Sequence, residues 1–368
     1  MASPSSAAAV IVVGAGSVGA NVAYRLARNG ARVTVLDAGA PGGGASGASF
    51  AWTNSFGKSP REYHDLNVAG MEEHARLAEE LGGTWFHHTG NLEWEEPGGP
   101  GRELRQAVER LREWDYPVEV ITPRAASALE PDLRFAPGVE EVVYAPQDGW
   151  VEVVPMIAAL LAAAVRAGAR VESGQRVTGF VREGDAIRGV VTASGARFEG
   201  DLVVDCAGHA AGELAGLAGS TLPIDGEPGR LIYTSPVVTT LSRPIHAPGV
   251  HFRPDGGGRI VLAERAHDQV VGQEPPGEWS PERSLAAVAR HLPALAAARV
   301  EATRIGVRPM PRDRHPIVGG VPERPGLYVV VSHSGITLGP LWGRIAAGEI
   351  LGRRPDPRLA PFRATRFA

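Results

Sequence analysis

The sequence predicts a chain of mixed class, α/β in the segments that frame it and α+β in the segments between. Three observations carry this. Residues 10–37 run strand, glycine turn, helix, strand. Residues 326–353 give the strand-to-helix order again at the far end. Residues 84–145 and 223–304 break into short strands with Pro and Gly between them, and carry only scattered helix. A chain that opens and closes on the same kind of unit is expected to leave one domain and return to it.

The first unit is the most informative. The apolar run VIVV at 10–13 reads as a buried strand, and RVTVLD at 32–37 as its neighbour. Between them, residues 18–29 put Val18, Val22 and Leu26 on one helical face. The joint is Gly14-Ala15-Gly16-Ser17-Val18-Gly19, a G-x-G-x-x-G spacing. Gly14 permits the tight turn, Gly16 lets a pyrophosphate approach the backbone, and Gly19 lets helix and strand pack closely. The helix N-terminus adds free N–H groups and a favourable dipole. Asp37 ends the second strand about 20 residues on, where a carboxylate can hold ribose hydroxyls. An acid there argues against NADP. This is a Rossmann-type unit for the ADP half of a dinucleotide, and by itself it leaves FAD and NAD open.

The remaining elements follow from periodicity and punctuation. A helix is expected around 65–82, closed by Gly82-Gly83, then a charged helix at 103–114. A helix at 155–167 has Pro155 near its start and is followed by three strand-like stretches. One more helix is expected at 281–291. GLYVVVSHSG at 326–335 reads as a strand entering a turn, and 340–353 as a helix with Pro340 at its start. Residues 1–83, 146–222 and 306–368 are therefore assigned to a discontinuous dinucleotide domain. Residues 84–145 and 223–305 are assigned to a second, mainly antiparallel-sheet domain.

Composition excludes several classes. Hydrophobic residues make up 43% and charged residues 21%, as in ordinary globular proteins. A net charge of −4 gives no basic field for nucleic acid. The lone Cys206 excludes an intrachain disulfide, a cysteine-based metal site and a dithiol reductase, and is compatible with a cytoplasmic setting. No apolar run is long enough to span a membrane. The first residues lack a basic n-region and are not expected to be a signal peptide.

Four blocks in sequence resemble the D-amino acid oxidase superfamily of flavoproteins, in particular its glycine oxidase and sarcosine oxidase branch. They are GAGSVG with Asp37; the loop GGGASGASFAW at 42–52, with Ser46 and Ser49; LVVDCAG at 202–208; and the pair GVRPMPRDRHPIVG at 306–319 and GLYVVVSHSGITLGP at 326–340. The resemblance covers nearly the whole chain and is weakest in 84–145 and 223–304. It implies a discontinuous FAD-binding domain with a separate substrate domain. It also implies FAD contacts at Gly14, Gly16, Ser17, Val18, Gly19, Asp37, Ala38, Ala45, Ser46, Ser49, Val177, Ala207 and Gly208. The turn holding Gly335, Ile336, Thr337 and Leu338 would pack on the isoalloxazine, with the following helix aiming its N-terminal dipole at the ring.

The same resemblance makes Arg308 the group that binds a substrate carboxylate, through two parallel charge-assisted bonds. The competing reading of Arg308 is a loop arginine paired with Asp313. His333 and His209 adjoin FAD-contacting blocks. Trp52, Asn54, Tyr63 and Tyr233 are expected in the substrate pocket, and the turn Gln147-Asp148-Gly149-Trp150 is read as structural. Two departures matter. No cysteine stands near Arg308, so FAD is expected to be noncovalent. The flavin-proximal lysine of some relatives is not evident, and Lys58, the only lysine in the chain, is the candidate for that charge.

The activity implied is oxidation of the C–N bond of a small amine or amino acid, with a biosynthetic pathway as one setting. Hydride passes to flavin N5, the imine is hydrolysed, and O2 or another acceptor reoxidises the flavin. Two rivals remain. A flavin monooxygenase would carry Asp-Gly where this chain has Cys206-Ala207-Gly208, and a late Gly-Asp that is not found. A noncatalytic FAD-binding subunit of a heteromeric oxidase is opposed by Arg308 and the 333–338 block.

Overall fold

The computed structural model describes residues 8–98, 102–264, 271 and 279–367. Residues 1–7, where a signal peptide would begin, lie outside these. A six-stranded sheet has the order Ile317–Gly320, Leu327–Val331, Leu202–Asp205, Ala9–Val13, Arg32–Leu36, Arg170–Glu172. It is parallel except where its first two strands pair antiparallel. In register, Val13 lies between Asp205 and Leu36. The loops leaving these strands at their C-terminal ends therefore gather along one edge, where α/β sheets bind ligands. Those loops are the glycine turn, Asp37 and its following segment, Cys206–His209, and the turn from Ser332.

The first and last helices lie side by side on this sheet. A Cβ on Gly343 of the helix Gly339–Ile350 would come within 2.7 Å of the Asn21 backbone in the helix Ser17–Arg28. Only glycine allows that approach, and it fixes the C-terminal turn against the N-terminal motif. The last helix stops three residues short of the expected end. Arg353 N–H bonds to Gly348 C=O across Gly352 at φ 83°, a left-handed stop. The expected 65–82 helix spans Arg61–Leu81 and ends at Gly82, also left-handed at φ 63°.

An eight-stranded sheet runs Val300–Pro311, Ile224–Thr234, Ile260–Ala263, Val250–Pro254, Ile245–Ala247, Asn91–Glu93, Val142–Ala145, Glu119–Ile121. It is antiparallel except between Ile245–Ala247 and Asn91–Glu93. Ile224–Thr234 pairs with nearly all of Val300–Pro311. The strand bearing Arg308 thus crosses the 305/306 boundary drawn from sequence, because the local pattern of RIGVRPMP carries no mark of which sheet it joins.

Period-two alternation sorts the faces of this sheet. Ile232, Ile245, Phe252 and Leu262 share a buried core with Leu285 and Val288 of the helix Pro281–Ala289. The opposite face carries Gly229, Leu231, Ala263, His251 and His246 and looks toward the nucleotide loops. A Cβ on Gly306 would lie 2.9 Å from Ala48, and Arg253 Nε donates to the Phe50 carbonyl. Two three-stranded sheets complete the chain: Val177–Glu183, Ala186–Thr192 and Arg197–Glu199, and Trp52–Thr53, Gly149–Val151 and Phe86–His87. Among the described residues, no helix is long and apolar enough to cross a membrane.

Candidate active site

A cavity of about 910 Å³ lies between the two large sheets, reaching from Asp37 at one end to Arg308 and the imidazoles of the eight-stranded sheet. Its nucleotide end is made chiefly of backbone. Gly14 sits at φ 99°, and a Cβ on Gly19 would lie 1.9 Å from the Gly14 carbonyl oxygen. Asp37 joins two loops: Oδ2 accepts from Ala15 N–H at 2.7 Å and Oδ1 from Gly39 N–H at 2.8 Å. Ser17 N–H donates to Ser46 Oγ at 2.9 Å, and Ser17 Oγ donates to the Gly335 carbonyl at 3.1 Å. Three blocks distant in sequence thus converge on one helix N-terminus, whose partial positive charge suits a pyrophosphate. Ser49 Oγ accepts from Ala51 N–H at 3.0 Å and shapes the exit of the second loop.

FAD fits these walls. Asn54, Gln175 and Ser332 line the cavity, and Asn54 Oδ1, Gln175 Oε1 and Ser332 Oγ are buried without a hydrogen-bond partner among the described residues. Such atoms cost about 1–3 kcal/mol each unless a ligand or water satisfies them. Gly14, Gly16, Ser17, Val18, Asp37, Ala38, Ala45, Ser46, Ser49, Val177, Ala207, Gly208, Gly335, Ile336 and Thr337 all line the cavity, and so does His209. Gly19 and Leu338 do not. Gly19 is covered by the Gly14 carbonyl. Leu338 precedes the last helix and is fully buried in the core.

The far end is made of side chains. Arg308 lines the cavity, and its Nη2 donates to the Pro228 carbonyl at 3.0 Å. Its guanidinium carbon would lie 3.3 Å from a Cβ on Gly229, so the glycine makes room for it. Asp313, the alternative partner, instead accepts from Arg366 Nε at 2.6 Å. His333 is pushed down to about 3, by burial first and then by the charges of Lys58, Arg308 and Arg314. Its imidazole is neutral at ordinary pH. Arg308, His333 and Lys58 therefore share one end of the cavity, whose lining also includes Trp52 and Asn54.

Two expected pocket tyrosines lie elsewhere. Tyr63 is buried beneath the C-terminal turn, with its hydroxyl 2.7 Å from Ser334 Oγ. Tyr233 lies outside the lining, with the Arg304 guanidinium 5.3 Å from its ring centre. Alternation gives Tyr233 the same face as Leu231 but places it two residues further along the strand, where Arg304 covers it.

Sequence reasoning missed Phe50, Phe56, His246 and His251, which also line the cavity. Asp148, in the turn read as structural, is a support whose partner the sequence did not indicate. Asp148 Oδ2 accepts from Trp52 Nε1 at 2.9 Å, and Tyr116 donates to Oδ1. Burial pushes this carboxyl up to about 7, against the pull of its two donors and Lys58. Asp148 and Trp52 are 96 residues apart, and no local signal links them. The buried Cys206 thiol is pushed well up by burial and by Asp205, which keeps it protonated and unreactive.

The family model for FAD dependent oxidoreductases (DAO) matches residues 9–349. The chain is 29% identical over 367 residues to a glycine oxidase of Pseudomonas aeruginosa, covering 96% of this chain and 97% of that one. It is 27% identical over 380 residues to one chain of an opine oxidase of Agrobacterium tumefaciens, covering 97% and 96%. The crystal structure of glycine oxidase from Geobacillus kaustophilus matches with a TM-score of 0.86 at 26% identity, over 98% of this chain and 99% of that one. Agreement of this extent, over a cavity whose buried polar atoms fit a flavin dinucleotide, places the chain in the DAO family of FAD-dependent oxidoreductases, on its glycine oxidase- and sarcosine oxidase-like branch.

Proposed function

We propose that this protein oxidises the C–N bond of a small amine or amino acid that carries a carboxylate. In this reading the six-stranded sheet is the core of the FAD domain and the eight-stranded sheet is the substrate domain. The observation that carries the proposal is the cationic end of the cavity, where Arg308 and Lys58 flank the neutral His333. Noncovalently bound FAD supplies the two-electron acceptor, which O2 or another acceptor reoxidises.

The protein's own groups bind and orient. Arg308 takes the substrate carboxylate in a planar, charge-assisted pair, which fixes the α-carbon and removes much of the entropic cost of alignment. His333 can donate or accept a hydrogen bond without adding charge. Lys58 supplies a fixed positive charge, and the start of the helix Gly339–Ile350 adds a partial one at the turn that would face the ring. The substrate loses a hydride from its α-carbon and a proton from nitrogen. Water then converts the imine to a carbonyl compound and releases the amine. No side chain need act as a strong base. The names of the relatives, glycine oxidase and opine oxidase, support substrates of this kind.

The test is an amine and amino acid panel mixed anaerobically with the FAD-loaded protein, scored by bleaching of the flavin band, then repeated with O2 and peroxide detection. At least one carboxylated amine should bleach the flavin. Reduction by NADPH and by no amine would replace this reading with a monooxygenase.

A further inference from the structure

The cavity extends further than glycine or sarcosine requires. On the cavity face of the eight-stranded sheet, the Arg308 guanidinium lies over Gly229 in the strand Ile224–Thr234. The strands Ile260–Ala263, Val250–Pro254 and Ile245–Ala247 follow in order across the sheet. His251 and His246 stand opposite one another on the last two, and both line the cavity. Three inter-strand steps of about 4.8 Å, with an offset of two residues or about 7 Å along the strand, put the His246 backbone roughly 16 Å from that of Gly229 beneath the Arg308 anchor. A substrate as short as glycine or sarcosine, held there by its carboxylate, ends well before that wall. Leu231 and Ala263 line the space between, and neither carries a polar group to fill it.

The far wall is built of rings. His246 Nδ1 and His251 Nδ1 are 2.7 Å apart, so one imidazole donates and the other accepts. Trp52 lies 4.1 Å from His246 between ring centres, Phe50 lies 5.7 Å from His246 edge-on, and Phe56 lies 6.4 Å from Trp52. All of these rings line the cavity. They are held from outside it, where Asp148 accepts from the Trp52 indole and Arg253 donates to the Phe50 carbonyl. A wall fixed in this way offers preorganised faces and edges to a flat guest.

We infer that Phe50, Trp52, Phe56, His246 and His251 form a side-chain subsite for an aromatic ring, and that the substrate is an amino acid bearing an aryl group rather than glycine or sarcosine. This rests on the proposed amine oxidation at the Arg308 end. An aromatic side chain buries about 150–250 Å² in such a site and adds favourable edge and face contacts with each well-placed ring.

The subsite is tested without turnover by titrating 3-phenylpropionate and propionate into the FAD-loaded protein and following the flavin absorption bands. 3-Phenylpropionate should bind at least tenfold more tightly than propionate, and the ratio should fall below threefold in Trp52→Ala. His251→Ala gives the same readout if Trp52→Ala does not retain FAD. Equal dissociation constants, or an unchanged ratio in a variant that keeps its flavin, overturn the subsite. Anaerobic phenylalanine, in either configuration, should bleach the flavin with at least tenfold higher efficiency than glycine or sarcosine; the reverse order overturns the substrate assignment. A clear preference for 3-phenylpropionate with no bleaching by any amine supports the subsite and removes the amine-oxidation reading alone.

Discussion

The two ends of the cavity are built on different principles. At the nucleotide end, contacts come from turns whose conformation only glycine or small residues allow, such as Gly14 at φ 99° and Gly19 beneath the Gly14 carbonyl. At the ring end, contacts come from side chains on strands far apart in sequence, such as Trp52 and His246 with ring centres 4.1 Å apart. Backbone contacts suit a ligand that does not change. Side-chain contacts can be exchanged one at a time without refolding a turn, which suits a substrate that differs between relatives.

The sharpest way to break the contrast is to disturb each end separately. Gly19→Ala would force a Cβ to 1.9 Å from the Gly14 carbonyl oxygen. Overlap with backbone cannot relax by a rotamer change, so the cost should exceed about 4 kcal/mol. Loss of FAD and a large drop in the unfolding midpoint are expected. Retention of stoichiometric FAD would show that the turn is more plastic than its geometry indicates. At the other end, Arg308→Ala should keep its flavin and lose about 2–5 kcal/mol of substrate binding, read from kcat/KM. Unchanged steady-state constants would return Arg308 to a structural role.

Titration sharpens the comparison further, because each end buries groups with opposite pH dependence. His74 is buried against the Ile336 carbonyl, 2.8 Å from Nε2, and burial lowers it to about 4. Its folded value lies below the ordinary one near 6.5. Its contribution to stability is therefore present above pH 6.5 and is lost as pH falls toward 4. Asp148 behind Trp52 is raised to about 7 from 3.8, so its contribution is present below pH 3.8 and is lost as pH rises through 7. Asp148→Asn should change stability by less than about 1 kcal/mol at pH 5, since the neutral carboxyl it replaces likewise offers one carbonyl oxygen to the Trp52 indole and one donor to the Tyr116 oxygen. It should also flatten the fall in unfolding midpoint between pH 5 and pH 8. An unaltered slope would mean that the carboxyl does not titrate there.

The smallest expected effect is none. Acid or guanidinium denaturation should release the whole of the flavin, because the lone thiol, Cys206, is buried and protonated. Flavin that sediments with the denatured chain would identify a covalent link.

Much of the nucleotide end was legible in the sequence because its causes are local. The G-x-G-x-x-G turn, Asp37 at a strand end and Pro340 opening a helix each announce a backbone event within a few residues. Arg308 was legible only through family resemblance, since nothing nearby distinguishes it from the chain's other arginines. Gly229 and Pro228, which seat it, lie on a paired strand about 80 residues earlier. Tyr233 and Tyr63 were misplaced for a related reason: a strand or helix pattern gives a face but not a distance along it.

By itself, then, the sequence determined the dinucleotide unit, its return at the C-terminus and the flavoprotein family resemblance, because these depend on short-range stereochemistry. Only the tertiary structure decided which side chains stand opposite Arg308. The imidazole pair, Phe50 and Trp52 meet through strand pairing and through the buried supports Asp148 and Arg253. Pairing register is a property of two strands at once, and neither strand's sequence contains it.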